Sequence, residues 1–388
     1  MKKNIVILGS TGSIGKNTIK LIKNDKKKFN IKLLSTNENI SEVIKQAKEF
    51  KVKSVIINDY QKFLQAKKDY KNNNINFYNS FSIIDDLFKK KEIFYSMISI
   101  MGIDGLKPSL QLIKKSKNIA IVNKEAIICG WNLIKKELKK FKTNFIPIDS
   151  EHFSIYSLIR NSKKNSIERV FITASGGPFL KKSINEFNNI KKKDALNHPN
   201  WKMGKKISID SSTMMNKVFE VIEAKKIFNL SYEEISILTH PKSYIHAIVK
   251  FKNALIKILI HEPDMKIPIY NSLYDFKEYK IKSKKIDLNI LNNLELKDID
   301  TKKFPLVKIL EKLDEKDSLY ETVLVTVNDY FVMKFLSDKI KYKKMIEKIY
   351  YFSNLKEFLK YKKISPKTVV DIYKLKDYVS LKLNTLSV

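Results

Sequence analysis

Residues 4–15 read NIVILGSTGSIG, and this stretch decides the fold of the first part of the chain. The apolar run predicts a buried strand, and Gly9, Gly12 and Gly15 follow it where a helical pattern begins. Glycine lets the backbone turn tightly and approach a ligand closely, and a helix N-terminus attracts phosphate. The order strand, turn, helix favours a nucleotide-binding site over an ordinary glycine turn.

Strand and helix patterns alternate from residue 4 to residue 148. The predicted strands lie at residues 4–8, 31–35, 54–58, 95–99, 118–122 and 143–148, and helices such as 40–50 and 125–140 fall between them. Regular alternation indicates βαβ units and a doubly wound, Rossmann-like parallel sheet of the α/β class. We therefore predict a dinucleotide-binding domain over residues 1–149, with ligands at the carboxyl ends of its strands.

The pattern changes after residue 150. Loops rich in Ser, Gly, His and Pro surround a predicted helix at 213–228 and predicted strands at 235–238 and 254–260, which indicates an α+β central domain over residues 150–280. Residues 281–304 show no clear periodicity and are predicted to be a connector. Helical patterns at 306–313, 318–336, 339–352 and 366–383 predict a C-terminal helical bundle over residues 305–388.

The composition indicates a cytoplasmic chain without a membrane partner. Of the 388 residues 43% are hydrophobic, yet no apolar stretch approaches the ~20 residues that a span needs. The apolar run near the start is too short for a signal peptide. Cys129 is the single cysteine, which excludes an internal disulfide and fits a reducing compartment.

The formal net charge of +34 raises the alternative of a non-enzymatic nucleic-acid-binding protein. However, the 75 basic residues include only two arginines, Arg160 and Arg169, although arginine is favoured for reading bases and clamping phosphates. The lysines are spread evenly along the chain. A solvated lysine surface explains the charge better, and we predict no specific nucleic-acid partner.

The stretch IPIDSEH sets two carboxylates, Asp149 and Glu151, just after an apolar run. In an extended segment alternate side chains share a face, so these two would point the same way. Such a pair suits a hard divalent cation such as Mg²⁺ or Mn²⁺. His152 is either a further ligand or a structural histidine, and the structural role is favoured. A second pair, Glu262 and Asp264, ranks lower because no sheet end is predicted nearby.

Three further motifs carry candidate site residues. In NKE, Lys124 follows a predicted strand and can meet a substrate oxygen, whereas Glu125 can equally be a helix-start charge. In TASGGPF, Ser175 precedes two glycines that can form an anion-binding nest. In HPNWKMG, His198 and Trp201 fit a mobile flap, although taken singly Trp201 is explained by core packing and His198 as a hydrogen-bonded turn residue.

The predicted helix within SIDSSTMMNKVFEVIEA carries few polar residues, and these lie close together. Ser211 precedes the helix, and Asn216, Lys217 and Glu220 then fall at i,i+3 and i,i+4 spacings, on one side. A surface Lys–Glu pair is the plain alternative. Because the rest of the helix is largely apolar, the carboxylate can instead complete a metal site beside a phosphate site.

Taken in order, the motifs GSTGSIG, NKE, DSEH, SGGPF, HPNWKMGKKISIDSSTMMNK and EPDM make the chain resemble the 1-deoxy-D-xylulose 5-phosphate reductoisomerase family over nearly its whole length. The resemblance implies an enzyme of non-mevalonate isoprenoid biosynthesis. It would rearrange the phosphosugar 1-deoxy-D-xylulose 5-phosphate and reduce the intermediate aldehyde with NADPH to 2-C-methyl-D-erythritol 4-phosphate. It also implies a V-shaped homodimer whose subunits have an NADPH-binding domain, a central catalytic and dimerisation domain and a C-terminal helical domain.

The resemblance assigns roles to residues by motif. The Mg²⁺ or Mn²⁺ ligands would be Asp149, Glu151 and Glu220. The substrate-binding residues would be Lys124, Ser150, Glu151, Ser175, His198, Trp201, Ser211, Asn216, Lys217 and Glu220. Among these, Lys124, Glu151 and His198 would be catalytic and Trp201 would close as the flap. The cofactor-binding residues would be Thr11, Gly12, Ser13, Ile14, Asn39, Asn123, Glu125 and Gly204.

The chain departs from the family pattern at two places. Asn37 and Glu38 stand where the family usually carries glycine and lysine or another pair compatible with NADP. A carboxylate there binds the ribose 2′-hydroxyl of NAD and repels the 2′-phosphate of NADP, so we expect NADPH use with weaker discrimination against NADH. Val218 and Phe219 replace the usual glycine and leucine before the metal glutamate. Activity is still expected, because the polar residues of that helix remain.

A generic NAD(P)-dependent dehydrogenase without skeletal rearrangement is the remaining enzymatic alternative. It accounts for the glycine loop of residues 9–15. It leaves Asp149, Glu151 and Glu220 without a task, and the reductoisomerase hypothesis is therefore preferred.

Overall fold

The computed structural model describes residues 2–163, 166–201, 203–276, 281, 283, 285 and 287–386. The chain divides into two compact units. The first comprises residues 1–127, 132–149 and 265–281, and the second comprises residues 128–131, 150–264 and 282–388. The division into three domains and a connector stays a prediction.

The first unit is built on a seven-stranded parallel sheet. Its strands are β1 Lys3–Leu8, β2 Phe29–Thr36, β3 Ser54–Ile57, β4 Asn76–Tyr78, β5 Ile93–Ile98, β6 Ser116–Ile121 and β7 Asn144–Phe145. They lie in the order β4-β3-β2-β1-β5-β6-β7. The order reverses at β1, which pairs with β2 on one side and β5 on the other. This switch point confirms the predicted Rossmann-like sheet and places a ligand crevice at the carboxyl end of β1.

Helices follow the strands of the first unit as predicted. They are α1 Ser13–Lys23, α2 Ile40–Phe50, α3 Tyr60–Asp69, α4 Ile83–Leu87, α5 Leu106–Lys115 and α6 Lys124–Phe141. A 3₁₀ turn at Ile103–Gly105 precedes α5. Side-chain caps fix several starts: Asn39, Asp59 and Asn123 accept hydrogen bonds from the first turns of α2, α3 and α6.

The core of the first unit fills both faces of this sheet. Ile5, Ile7, Leu34, Val55 and Met97 are fully buried in one hydrophobic cluster. Strands covered on both sides need continuous apolar runs instead of alternation, which is why β1 is apolar at residues 5–8 and β3 at residues 55–57.

The second unit contains a mixed five-stranded sheet, in agreement with the predicted α+β class. Its strands are β8 Ile167–Ala174, β9 Ile235–Thr239, β10 Ile245–Phe251, β11 Ile256–Ile260 and β12 Lys297–Asp298. The order is β11-β10-β8-β9-β12. Only β8 and β9 pair in parallel among these neighbours. The edge strand β12 lies within the predicted connector.

The remaining helices lie between residue 150 and the end of the chain. They are α7 Ser150–Ile159, α8 Lys192–Leu196, α9 Lys205–Ser212, α10 Met215–Phe228, α11 Lys266–Leu273, α12 Leu288–Asn292, α13 Tyr320–Leu336, α14 Tyr342–Ser353, α15 Lys356–Leu359 and α16 Val369–Leu386. Of these, α11 belongs to the first unit. The predicted helix at 306–313 is a 3₁₀ helix, Pro305–Lys312. Within the described residues, none of the helices has the length and apolar character needed to cross a membrane.

Candidate active site

The glycine loop packs tightly against the ends of β2 and β5. A Cβ on Gly9, whose φ is +77°, would lie 2.5 Å from the carbonyl oxygen of Ser99, so this position requires glycine. The Gly9 amide donates to Ser35 Oγ at 2.8 Å, and the Thr11 and Thr36 hydroxyls lie 2.8 Å apart. The loop is therefore held rigidly at the switch point of the sheet.

The loop leads directly into the N-terminus of α1. Gly12 is the N-cap residue of α1, which begins at Ser13, and no side chain forms a cap hydrogen bond at this end. Uncapped amides with the positive end of a helix dipole form a site for a pyrophosphate. The predicted cofactor contacts in this loop therefore lie together at the start of α1; they are Thr11, Gly12, Ser13 and Ile14.

Glu38 lies exposed just beyond the carboxyl end of β2. Its Oε1 accepts a hydrogen bond of 2.9 Å from the Asn37 amide, and the Asn37 Oδ1 accepts one of 3.2 Å from Asn58. The side chain of the next residue, Asn39, caps α2 by accepting from the Glu42 amide at 3.1 Å. A carboxylate is therefore held at the position where the ribose of a dinucleotide is bound in this type of fold.

Asn123 joins the start of α6 to the loop after β5. Its Oδ1 accepts from the Ala126 amide at 2.9 Å, and its Nδ2 donates to the carbonyls of Ile100 and Gly102. Glu125 lies half-buried in the first turn of α6, at the positive end of that helix.

Lys124 is only 7% exposed and forms an ion pair with Asp149 inside the first unit. The pair joins the start of α6 to the segment that follows β7. A buried ammonium beside a carboxylate at a strand's carboxyl end can donate to an oxygen that develops negative charge. The two residues that the sequence places after different strands are thus brought together.

The extended arrangement predicted for Asp149 and Glu151 is wrong. The last strand, β7, is only Asn144–Phe145, because Pro147 has no N–H for a ladder and the chain leaves the sheet edge. Since α7 begins at Ser150, Asp149 precedes a helix and Glu151 lies in its first turn. The Ser150 hydroxyl donates to Glu151 Oε2 at 2.6 Å.

Lys217 joins two carboxylates from different helices of the second unit. Its Nζ lies 2.6 Å from Glu151 Oε1 on α7 and 2.5 Å from Glu220 Oε2 on its own helix, α10. It also donates to the Thr173 carbonyl at 2.8 Å, while Asn216 Nδ2 donates to Glu220 Oε1 at 2.5 Å. The i,i+3 and i,i+4 grouping predicted from the sequence is therefore present.

This cluster is buried, so the alternative of a surface ion pair does not hold. Lys217 is 6% and Glu220 1% exposed. Burial lowers the pKa of Lys217, but the charges of Glu151 and Glu220 outweigh it and leave that pKa above its ordinary value. The carboxylates of Glu151 and Glu220 thus meet at one ammonium in a buried place, where a divalent cation would interact with both.

The carboxylates of Glu151 and Glu220 meet the requirements of a hard divalent cation. One oxygen of each lies within 4.8 Å of the other, which leaves room for an ion between them. Carboxylate oxygens are the ligands that Mg²⁺ and Mn²⁺ prefer. No group of three candidate ligands found within the described ranges includes Glu262 or Asp264.

Ser175 and His198 form a second polar cluster in the second unit. The Asn200 and Trp201 amides donate to His198 Nδ1 at 3.2 and 3.0 Å. A neutral ring then carries its proton on Nε2, which lies 3.0 Å from Ser175 Oγ and donates to it. Burial, with the nearby charge of Lys217, lowers the pKa of His198 to about 4, so the ring is neutral at pH 7.

The two glycines after Ser175 shape a tight turn beside Ser211. Gly176 and Gly177 have φ values of +86° and +63°, and a Cβ on Gly177 would lie 2.9 Å from the Ser211 carbonyl oxygen. The Gly177 amide donates to Ser175 Oγ at 3.1 Å. The Ser175 oxygen thus accepts from Gly177 and His198, and its hydroxyl proton can point to a ligand.

The remaining predicted residues lie near these clusters in the chain. Trp201 is half-buried, and its ring meets that of His246 edge-on, with centroids 6.2 Å apart. Gly204 is the N-cap of α9, and Ser211 is half-buried in its last turn. Gly204 belongs to the second unit, whereas the glycine loop belongs to the first.

Two buried residues support the carboxylate cluster: His152, and Glu223, which the sequence did not single out. His152 is fully buried, its Nε2 lies 2.9 Å from the Glu220 carbonyl oxygen, and its Nδ1 lies 3.6 Å from Glu223 Oε2. The structural role favoured for His152 fits this position between α7 and α10. The signal in the sequence for Glu223 is its i,i+3 spacing from Glu220, which puts both carboxylates on one side of α10.

The chain matches models of one protein family over most of its length. Three models match: a 1-deoxy-D-xylulose 5-phosphate reductoisomerase model at residues 5–130, and two models of C-terminal domains of that reductoisomerase at residues 145–228 and 260–379. A protein of Pelagibacter ubique named 1-deoxy-D-xylulose 5-phosphate reductoisomerase is 55% identical over 387 residues, covering 100% of both chains. One of the same name from Clostridium acetobutylicum is 37% identical and covers 88% of this chain and 89% of its own.

Solved structures agree with these matches. The 1-deoxy-D-xylulose 5-phosphate reductoisomerase from Zymomonas mobilis in complex with NADPH is 27% identical, with a TM-score of 0.88 and coverage of 100% of this chain and 99% of its own. A DOX-P reductoisomerase in complex with NADPH, fosmidomycin and magnesium is 28% identical, with a TM-score of 0.90 and coverage of 99% of both chains.

Proposed function

The chain belongs to the 1-deoxy-D-xylulose 5-phosphate reductoisomerase family, and from that premise we propose that Glu151, Lys217 and Glu220 form the centre of its active site. The enzyme uses NADPH and a divalent metal to convert 1-deoxy-D-xylulose 5-phosphate to 2-C-methyl-D-erythritol 4-phosphate. One observation supports this assignment: the carboxylates of Glu151 on α7 and Glu220 on α10 both contact the ammonium of Lys217.

Glu151 and Glu220 would hold Mg²⁺ or Mn²⁺ between them. Asp149, two residues before Glu151 in the chain, would supply the third carboxylate. When bound, the ion polarises the substrate carbonyl and favours loss of the neighbouring hydroxyl proton. Lys217 would balance the carboxylate charges, and Lys124 and the Ser150 hydroxyl would donate hydrogen bonds to substrate oxygens.

The Ser175 cluster would bind the phosphate end of the substrate. The Ser175 hydroxyl donates outward because its oxygen is already held by His198 and the Gly177 amide. Ser211 lies beside the Gly177 turn, and Asn216 is the second residue of the following helix, α10, so both would add donors for phosphate oxygens. The neutral His198 would orient Ser175, and Trp201 would cover the bound substrate.

The first unit would bind NADPH at its switch point. The α1 amides of Ser13 and Ile14 would hold the pyrophosphate. The rest of the cofactor site would be lined by Thr11, Gly12, Asn39, Asn123 and Glu125. A cytoplasmic location is proposed on the single cysteine.

The edge strand β11 supports a homodimer. Ile256, Ile258 and Ile260 are 60%, 47% and 41% exposed on this strand, and Leu255 beside them is 57% exposed. An exposed apolar edge strand is unfavourable in a monomer, and a second copy can cover it by a two-fold contact. We assign β11 to that contact.

A single assay separates the proposed function from its alternatives. NADPH oxidation that requires both 1-deoxy-D-xylulose 5-phosphate and Mg²⁺ or Mn²⁺ supports the reductoisomerase. Turnover of a simple carbonyl without metal would instead indicate a generic dehydrogenase. Salt-sensitive RNA retention without turnover would indicate a nucleic-acid-binding protein.

A further inference from the structure

Tyr342, the first residue of α14, contacts both segments that would carry the phosphate site: the turn from Ser175 to Phe179 and the end of α9 at Ser211 and Ser212. It is fully buried. Its hydroxyl donates to the Ser212 carbonyl at 2.8 Å and lies 3.0 Å from Ser212 Oγ. Its ring meets Phe179 edge-on, with centroids 5.2 Å apart. Ser212 follows Ser211, and Phe179 ends the turn that begins at Ser175, so one side chain holds both segments.

A second contact joins α9 to the C-terminal helices. Asn328 on α13 is fully buried and donates to Asp210 Oδ1 at 2.8 Å. Lys206 Nζ bridges Asp210 Oδ2 at 3.2 Å and Asp329 Oδ1 at 2.8 Å. The last turn of α9, which carries Ser211, is therefore fixed to α13 by the buried Asn328–Asp210 hydrogen bond, whose loss is unfavourable, and by the partly buried Lys206 ion pairs.

The turn between α9 and α10 needs such support. Met214 has a φ of +64°, an unfavourable conformation for a residue with a side chain. Local hydrogen bonds run from Ser212 Oγ to the Ile209 carbonyl at 2.7 Å and from Thr213 Oγ1 to the Asp210 carbonyl at 3.1 Å. Strained backbone persists where the surrounding structure over-determines it.

We propose that Tyr342, with Asn328, is a positioning residue for substrate phosphate: the C-terminal helices set the separation of the Ser175–Phe179 turn and the Ser211–Met214 turn without touching substrate. The inference rests on the proposed function, because it assumes that Ser175 and Ser211 bind the phosphate. It gives the C-terminal helices a specific task in the reaction, which is control of affinity for the phosphorylated end of the substrate.

The test compares Tyr342→Phe with the matched control Tyr320→Phe. Tyr320 is also buried in the helical region, at 2% exposure, and its hydroxyl donates to the Ser353 carbonyl at 2.6 Å. Each variant loses one buried hydrogen bond and keeps its ring. In Tyr342→Phe we expect the KM for 1-deoxy-D-xylulose 5-phosphate to rise about 3- to 10-fold. The inhibition constant of inorganic phosphate should rise by the same factor, with kcat and the KM for NADPH nearly unchanged.

Tyr320→Phe should lose thermal stability, but its KM for 1-deoxy-D-xylulose 5-phosphate and its inhibition constant for inorganic phosphate should stay unchanged. Equal KM values in Tyr342→Phe and Tyr320→Phe, or a fall in kcat with no change in the phosphate constant, would overturn the proposal. If Tyr342→Phe does not fold, Asn328→Ser is expected to raise the same two constants, and unchanged constants there would overturn it equally. Absence of metal-dependent turnover in the unmodified enzyme would refute the proposed function itself, which is a distinguishable result.

Discussion

The ammonium of Lys217 lies 2.6 Å from a carboxylate oxygen of Glu151, although the two residues belong to different helices. Lys217 also reaches Glu220 on its own helix at 2.5 Å. One cation therefore organises two acids that are far apart in the chain. The same grouping of two carboxylates is what a divalent ion would require.

Glu220→Gln tests the ligand role. The amide keeps the size of the side chain but removes a charged ligand, so we expect kcat to fall at least ~100-fold. NADPH binding, measured by fluorescence titration, should stay nearly unchanged. Glu321→Gln is the control, since Glu321 is likewise buried beside a lysine, Lys226, but lies in α13. An unchanged kcat in Glu220→Gln would show that this ligand is misassigned.

Glu38 is expected to weaken selection of NADPH over NADH. Its carboxylate, anchored by Asn37, lies where it would repel a 2′-phosphate. We expect Glu38→Lys to raise the NADPH preference at least ~10-fold, both in kcat/KM and in dissociation constants measured directly. Glu92→Lys makes the same charge change before the amino end of β5 and should have no such effect. Strong NADPH preference in the unmodified enzyme would contradict the role of Glu38.

His198 should remain neutral well into the acid range. Its pKa of about 4 lies below the ordinary 6.5, mainly because of burial. The unfolded chain takes up the proton first, so this group lowers stability as the pH falls from about 6.5 to about 4 and adds no further loss below that. Urea unfolding at pH 7 and 5 should show a smaller acid loss in His198→Asn. An NMR titration midpoint near 6.5 would contradict the assignment.

Ile258→Lys should dissociate the homodimer. The residue is 47% exposed on β11, and a buried lysine at a two-fold contact would meet its own copy. Light scattering should report a monomer for this variant and a dimer for the unmodified chain. Ile184→Lys changes a comparably exposed isoleucine, at 44%, outside the sheet and should remain dimeric. A dimeric Ile258→Lys would remove β11 from the interface.

Local patterns predicted the first sheet well. Short β-rich runs marked β1, β2, β3, β5 and β6, and the helix predicted at residues 40–50 is α2, Ile40–Phe50. Asn216, Lys217 and Glu220 could be grouped because helical spacing alone brings them together. These features depend on residues that are close in the sequence, so the spacing of apolar and polar residues is enough to predict them.

Features that depend on contacts between distant parts of the chain could not be predicted from the sequence. The two-residue strand β12 is too short for periodicity and forms only by pairing with β9. The placement of α11 rests on contacts such as the 2.8 Å hydrogen bond between the Tyr95 and Ser272 hydroxyls. The contact of Lys217 with Glu151 spans two helices, and no local pattern encodes it.

One divalent ion is expected between Glu151 and Glu220. Anomalous diffraction from crystals grown with Mn²⁺ would locate it. We expect one peak bonded by both carboxylates, with Asp149 as a further ligand. A map with no peak between Glu151 and Glu220, or with the ion held by Glu262 and Asp264 instead, would contradict it.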